Sequence, residues 1–373
     1  LTGLDVLEGA NFKSIQNKNI GLVINHTSLN KNNIHILNLL LEYDNIYIKS
    51  IFTPEHGLRG NLSAGEKIPD IFNEELGINI VSLYGDKKQP DLIEVEGLDC
   101  ILFDIQDIGS RYYTYVSTLT YMLNIASIAN IPIIVLDRPN PLGREISGPI
   151  LSSNFYSFVG MHSIPIRHGM TIGELALMIN EEKWLDSGKK ANLEIIKLKY
   201  WNTEPGYFLI PPSPNIPDFL TAFMYNGMCL LEGTNISEGR GTKEPFLLFG
   251  APWMNSKKVL KKIIDLNLEG ISFYQKTFKP VSNTGSKYPK YQNQLCYGIK
   301  VNIIDEEQID PLEIAILILK IIYENHTQEF SFNNNNFISN LYGNMNLKEN
   351  ILYKSSINDL LYNWSKDFEL FSD

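Results

Sequence analysis

The hydrophobic positions of the first 200 residues fall into two alternating kinds of segment. Short continuous apolar runs predict buried strands, and longer stretches with apolar residues at helical spacing predict helices. The predicted strands are residues 20–24, 47–52, 78–83, 101–103, 131–136 and 193–198. The predicted helices are residues 34–43, 114–130 and 170–184, the last opening on Thr171 and Glu174 at capping-box spacing. This alternation predicts an α/β fold with a mostly parallel sheet covered on both faces.

A proline-dense passage at residues 211–217 interrupts this pattern. Beyond it, the spacing predicts helices at 256–266 and 311–324 and strands at 271–278 and 295–304, with a polar loop at 333–336. We therefore expect two domains, one over residues 1–220 with most site motifs and a smaller α+β domain over 221–373. A length of 373 residues is consistent with two hydrophobic cores.

Charge and composition exclude several classes of protein. A net charge of −10 argues against a nucleic-acid partner, which would need a basic face. The longest apolar stretch, residues 314–322, is far shorter than the roughly 20 residues of a membrane span. Three cysteines cannot form a disulfide framework, and Cys100 lies in an apolar run that predicts a core position. The chain begins at Leu1 and not at Met, which is compatible with a trimmed or mature form.

Polar side chains gather where the predicted strands end. Because ligands of open parallel sheets bind beyond the carboxyl ends of the strands, this edge is the predicted site. The side chains that we expect there are Asn25, Glu55, His56, Asp104, Asp107, Asp137, Arg138 and Asn140. Glu55 also has a simpler interpretation, as a helix cap or as the ion-pair partner of Arg59.

The residues before the helix at 114–130 are further candidates. Arg111, Tyr113 and Tyr115 suit either a core or a sugar-stacking wall, and His168 is either a positioning residue or a turn histidine. Asp104 and Asp107 could hold a metal together with a histidine, but no metal-ligand spacing supports this, and hydrogen-bonded carboxylates are favoured. No dinucleotide, Walker or nucleophile-elbow motif is present, so we expect no cofactor and no metal.

Ten short motifs occur in an order that resembles one family, the NamZ-type exo-β-N-acetylmuramidases. They are TPEHGLRG, AGE (residues 64–66), SLYG, FDIQDIGSRYYTY, LDRPNP, RHGMTIGE, PSPN, LEGTNISEGRGT, PF and GAPW. The similarity runs from Gly3 to at least Val301, with Leu58 and Tyr112 where phenylalanine is more usual. The resemblance implies a Rossmann-like N-terminal domain, a smaller C-terminal domain and an active site in the cleft between them.

The same resemblance implies release of terminal N-acetylmuramic acid (MurNAc) from the non-reducing ends of peptidoglycan fragments by an exported enzyme. Glu55 is then the expected acid, and the second role is open among Asp107, Asp104, Glu232 and Glu238, or falls to the substrate's own acetamido group. Asn235 is a further expected substrate contact. Recognition of the lactyl carboxylate needs a cation, for which Arg59, Arg111, Arg138 and Arg240 are candidates. The rival functions are a non-catalytic muropeptide-binding protein and a metal-dependent phosphoesterase.

Overall fold

The computed structural model describes residues 1–60, 70–74, 76–206, 208 and 210–372. The AGE motif at residues 64–66 lies outside these ranges. The chain forms two compact units of similar length. The first unit comprises Leu1–Gly109, Tyr113–Arg144 and Gly169–Pro214, and the second comprises Ser110–Tyr112, Glu145–His168 and Asn215–Asp373. Residues 110–112 and 145–168 therefore pack with the second unit although they lie within the first 220 residues.

The strands of the described residues are numbered in chain order. They are β1 Lys18–Ile24, β2 Ile46–Thr53, β3 Ile71–Asn73, β4 Ile78–Ser82, β5 Cys100–Asp104, β6 Ile133–Leu136, β7 Ile146–Ser147, β8 Arg167–His168, β9 Leu193–Ile196, β10 Leu248–Ala251, β11 Ile271–Phe278 and β12 Cys296–Ile303.

The helices of the described residues are also numbered in chain order. They are α1 Gly3–Gly9, α2 Ile36–Leu41, α3 Leu92–Val95, α4 Tyr115–Ala129, α5 Ile172–Glu181, α6 Phe219–Met228, α7 Ser256–Ile264, α8 Pro311–Asn325, α9 Phe337–Tyr342, α10 Asn346–Leu352 and α11 Ile357–Ser372. None of the helices so described is both long and apolar enough to cross a membrane.

The first unit is built on a seven-stranded sheet in the order β3-β4-β2-β1-β5-β6-β9. Every neighbouring pair is parallel except β3 and β4, which are antiparallel. The interior strand β5 is buried throughout, as the continuous apolar run predicted. The mostly parallel α/β fold is thus confirmed, and so is the capping box of Thr171 and Glu174 at the start of α5.

The second unit combines helices with a three-stranded antiparallel sheet in the order β10-β12-β11 and with the short pair β7–β8. The sequence predicted α7, α8, β11 and β12 but not α6, β10 or the three helices after residue 336. All three cysteines are buried thiols. Cys100 is a core residue of β5, as predicted, and burial raises its pKa to about 11.

Candidate active site

Four polar strand ends lie side by side at one edge of the first unit's sheet. Strands β2, β1, β5 and β6 are consecutive neighbours and run parallel, so their carboxyl ends point the same way. Asn25 follows β1, Glu55 follows β2, Asp104 ends β5 and Asp137 follows β6. The strand order therefore brings together the ends that the sequence singled out. Their partners determine which of these side chains are available for chemistry.

Glu55 stands on a sharp turn directly after β2. His56 and Gly57 both have left-handed backbones, with φ of 73° and 70°, and the Gly57 amide donates to the Pro54 carbonyl at 3.0 Å. This conformation is unfavourable for a residue with a Cβ, so the surrounding structure has to enforce it at buried His56. The turn leaves Glu55 half-buried, and its Oε2 accepts a hydrogen bond from Thr114 Oγ1 at 2.9 Å.

Two buried tyrosines lie next to Glu55. The rings of Tyr113 and Tyr115 pack edge to face with centroids 4.8 Å apart. Burial raises the pKa of the Tyr115 hydroxyl far above its ordinary value, and the neighbouring carboxylates of Glu55 and Asp107 raise it further. Tyr115 is therefore a neutral hydrogen-bond donor, and it lies within the electrostatic reach of both carboxylates. The side chain of Asn25 lies close to the Tyr115 hydroxyl.

Asp107 is held in place by its own loop. Its Oδ2 accepts from the Gly109 amide at 2.7 Å, and the residue is 5% exposed. Gly109 has φ of 80°, and a Cβ at that position would meet the Asn140 side chain at 2.2 Å, so only glycine fits there. The loop after β5 therefore presents Asp107 in a fixed orientation.

The proline-dense segment forms one wall of this site. His26 Nε2 lies 2.9 Å from the Pro211 carbonyl, Tyr115 Oη donates to the Pro212 carbonyl at 3.2 Å, and the side chain of Ser213 lies close to the Tyr113 hydroxyl. Since a carbonyl only accepts, the His26 proton is on Nε2. The sequence predicted only a break in the pattern at this segment.

Asp104 and Arg138 form a buried ion pair with each other. Arg138 Nε and Nη2 donate to the two carboxylate oxygens of Asp104 at 2.6 and 2.9 Å, and the side chains of Arg138 and Asp104 are 2% and 0% exposed. Arg138 Nη2 also donates to the Leu29 carbonyl at 3.1 Å. This geometry argues against a catalytic role for Asp104 and a lactyl-binding role for Arg138, because each charged group is fully engaged and shielded from solvent.

Asp137 and Asn140 support the loops around the start of α5. Asp137 Oδ1 accepts from the Gly173 amide at 2.8 Å, and burial raises the pKa of this carboxyl group to about 6. Asn140 donates to the Met170 carbonyl at 3.0 Å and accepts from the Leu142 amide at 2.9 Å. These contacts argue against the substrate-binding roles suggested for both residues.

Arg111 connects four carbonyl groups within the second unit. Its Nη1 donates to Pro149 and Ile164 at 2.8 and 2.7 Å, and its Nη2 donates to Leu341 and Tyr342 at 2.8 and 2.9 Å. The side chain is 2% exposed. This is a structural position and argues against a substrate contact. His168, in β8, is likewise buried in the second unit, where β8 pairs with β7.

Three other predicted residues, Glu232, Glu238 and Arg240, form a charge cluster with Lys290 in the second unit. Arg240 donates twice to Glu232, at 2.7 and 3.1 Å, and its Nε lies 3.8 Å from Glu238. Lys290 Nζ lies 3.1 Å from the other oxygen of Glu238. The two carboxylates and the two cations of this cluster therefore neutralise each other's charge. Asn235 stabilises a loop through two hydrogen bonds: its Nδ2 donates to the Glu329 carbonyl and its Oδ1 accepts from the Ser331 amide.

The structure thus associates Asn25, Glu55, Asp107, Tyr113 and Tyr115 in the first unit. Sequence reasoning missed three neighbours of this group, although one directly follows Asn25 and two lie within the motifs FDIQDIGSRYYTY and PSPN. They are His26, Thr114 and Ser213. Arg59 is exposed and forms no ion pair with the described residues. Among those residues, no three His, Cys, Asp or Glu side chains converge as a metal site would require.

Comparison with known proteins gives matches along the chain. The family models for the N- and C-terminal domains of exo-β-N-acetylmuramidase NamZ match residues 20–220 and 223–373. A peptidoglycan β-N-acetylmuramidase NamZ of Bacillus subtilis (strain 168) is 35% identical over 377 residues, covering 100% of this chain and 89% of that protein.

Two crystal structures of DUF1343-family proteins from Bacteroides fragilis are similar to this chain. They superpose with TM-scores of 0.88 and 0.82 at 30% and 34% identity, each covering 100% of this chain and 96% of theirs. With both domain models matched and similarity to the Bacillus subtilis muramidase along the whole chain, the protein belongs to the NamZ family of exo-β-N-acetylmuramidases.

Proposed function

We propose that this protein removes terminal MurNAc from the non-reducing ends of peptidoglycan fragments by glycoside hydrolysis, with Glu55 as the general acid. Family membership supports the glycosidase activity. The observation that supports the residue assignment is the position of Glu55. Its half-buried carboxyl group lies at the carboxyl edge of the sheet, hydrogen-bonded to Thr114 and next to Tyr115.

Hydrolysis of a glycoside needs proton donation to the leaving oxygen and stabilisation of an oxocarbenium-like transition state. In our proposal Glu55 donates the proton and Asp107 supplies the second carboxylate. Asp107 is oriented by the Gly109 amide. Its charge and that of Glu55 both raise the pKa of the Tyr115 hydroxyl, so the two carboxylates lie near the same side chain. Asp104 is the weaker candidate because both of its oxygens bind Arg138.

Selection for MurNAc requires a partner for the lactyl carboxylate, which N-acetylglucosamine lacks. In a chain of net charge −10, that anion needs a local cation. Arg111 is engaged by carbonyl groups, Arg138 by Asp104, and Arg240 by Glu232. Arg59 is exposed and follows Glu55 by four residues. We therefore assign lactyl recognition to Arg59, whose planar fork can bind a carboxylate through two hydrogen bonds.

The test of this function is hydrolysis of a MurNAc-β-1,4-N-acetylglucosamine disaccharide, followed by mass spectrometry of the released MurNAc. The wild-type protein should produce both sugars, and Glu55→Gln should be slower by about 10² to 10⁴ while binding the disaccharide with similar affinity. Saturable binding without product would favour a muropeptide-binding protein. Cleavage of a phosphate ester that depends on a divalent ion would favour a phosphoesterase.

The substrate class also suggests where the protein works. Peptidoglycan is assembled and degraded outside the cytoplasmic membrane, so we propose an exported protein that acts in the periplasm or the medium. Fractionation of the native host should recover the muramidase activity outside the cytoplasm. Activity confined to the cytoplasmic fraction would contradict export and would point to the recycling of imported fragments.

A further inference from the structure

Thr114, the residue directly before α4, uses its hydroxyl in an unusual way. A threonine at this position ordinarily accepts a hydrogen bond from an amide of the first helical turn, which stabilises the helix. Thr114 makes no such bond, because its backbone is already helical, with φ of −68° and ψ of −7°. Its Oγ1 donates to Glu55 Oε2 at 2.9 Å instead. The helix start thus lacks a side-chain cap, and the hydroxyl contacts the carboxyl group of Glu55.

The contact with Thr114 restricts the direction of the Glu55 carboxyl group. The left-handed turn at His56 and Gly57 fixes the backbone of Glu55, but a glutamate side chain still has three rotatable bonds. Thr114 is β-branched and therefore stiff about χ1, and it stands at the start of the 15-residue helix α4. A partner on a regular element holds a functional group more accurately than one on a loop.

We propose that Thr114 is a positioning residue for Glu55, which it holds in the orientation that delivers a proton to the glycosidic oxygen. The inference rests on the proposed role of Glu55. Because Thr114 donates to Oε2, the acid form carries its proton on Oε1. That proton passes to the glycosidic oxygen as the bond between this oxygen and the anomeric carbon breaks and its electron pair stays on the oxygen, which leaves Glu55 as a carboxylate still bonded to Thr114. The oxocarbenium-like anomeric carbon then gains the hydroxyl group of water, whose other proton passes to a carboxylate of the site.

The first test compares Thr114→Val, which keeps the shape and removes the hydroxyl, with Thr114→Ser, which keeps the hydroxyl. On the MurNAc disaccharide, Thr114→Val should lower kcat by about 10- to 100-fold, because a small misplacement of a catalytic group costs that much. KM should change by less than about threefold, since substrate binding is not altered. Thr114→Ser should restore kcat to within about threefold of the wild type.

The second readout separates positioning from a general structural effect. A 4-nitrophenyl leaving group departs with little protonation, so Thr114→Val should lower kcat on 4-nitrophenyl MurNAc by less than about threefold. Thr120→Val is the matched control, because Thr120 is a buried threonine of the same helix whose hydroxyl donates to the Val116 carbonyl at 2.9 Å. It should leave the ratio of the two activities unchanged.

Each outcome has a distinct meaning. If Thr114→Val lowers both activities equally, or lowers neither, Thr114 does not position the acid. If Glu55→Gln retains activity on the disaccharide, the role of Glu55 itself is wrong and this inference is wrong with it. An inactive Glu55→Gln together with an unaffected Thr114→Val overturns the positioning role alone. If melting curves show that Thr114→Val does not fold, Thr114→Ala gives the same comparison.

Discussion

The buried pair of Asp104 and Arg138 allows a structural assignment to be tested against a catalytic one. Arg138→Met leaves the Asp104 carboxylate without its partner at a position with 0% side-chain exposure. Removing one member of a buried ion pair costs about 3–5 kcal/mol, since the remaining charge is desolvated and uncompensated. Asp104→Leu, which preserves the branched shape, should cost about as much.

The double variant Asp104→Leu/Arg138→Met removes both charges together. The double variant still loses stability because the Leu29 carbonyl no longer has the Arg138 donor that lay at 3.1 Å. An unsatisfied buried acceptor lowers the free energy of unfolding by about 1–3 kcal/mol. The double variant should therefore be more stable than either single variant. For a unit of this length, each kcal/mol shifts the melting temperature by about 2–4 °C, so the singles should melt roughly 6–20 °C below the wild type.

Thermal unfolding followed by circular dichroism measures these shifts, and disaccharide hydrolysis measures activity on the folded variants. The double variant should retain kcat/KM within about threefold, because neither side chain is proposed to contact the substrate. A folded double variant that has lost activity by more than about 10² would refute the structural assignment and return Asp104 to the catalytic candidates. A double variant less stable than both singles would refute the account of the pair itself.

Three further predictions concern recognition, pH and metals. Arg59→Ala should weaken MurNAc substrates by about 1.5–3 kcal/mol, the usual contribution of a hydrogen bond to a charged group, and should scarcely change any activity on N-acetylglucosaminides. Arg59→Lys should give an intermediate loss, and equal losses on both sugars would place lactyl recognition elsewhere. Burial raises the pKa of Asp137 to about 6, so the folded state keeps this proton where the unfolded chain has lost it. The contribution of Asp137 to the free energy of unfolding should therefore fall between about pH 4 and 6, so the wild-type curve should descend relative to that of Asp137→Asn in urea titrations at each pH; parallel curves would contradict it. Hydrolysis should survive exhaustive dialysis against a chelator, and an activity lost there and restored by one divalent ion would show metal dependence.

The elements of the first unit's sheet were predictable because their sequence patterns depend on residues that are close together in the chain. Strand β5 is buried on both faces and is continuously apolar, and Thr171 and Glu174 lie at the spacing of a capping box. Such patterns depend only on neighbouring residues. The parallel connections then place the strand ends at one edge of the sheet, which is where ligands of such folds bind.

The second unit was less predictable because its elements depend on distant contacts. Helices α9 and α10 have six and seven residues, and helices so short are marginal without tertiary packing. The four carbonyl groups that Arg111 binds come from residues 149, 164, 341 and 342. The periodicity of hydrophobic residues does not reveal contacts between such separated segments. It therefore could not predict that residues 110–112 and 145–168 belong to the second unit.

The strand-end carboxylates show why residue type alone does not identify the catalytic group. Glu55, Asp104, Asp107 and Asp137 all follow or end parallel strands, and the sequence treats them alike. Their partners differ: Asp104 binds a guanidinium, and Asp137 binds the first turn of a helix, so both serve the fold. Asp107 is oriented by the backbone amide of its own loop, and Glu55 is half-buried with a hydroxyl partner. A group that exchanges protons with a substrate needs access as well as orientation, and among these four acids Glu55 alone is more than slightly exposed. Partial exposure is therefore the property that distinguishes the proposed acid from the other three strand-end carboxylates.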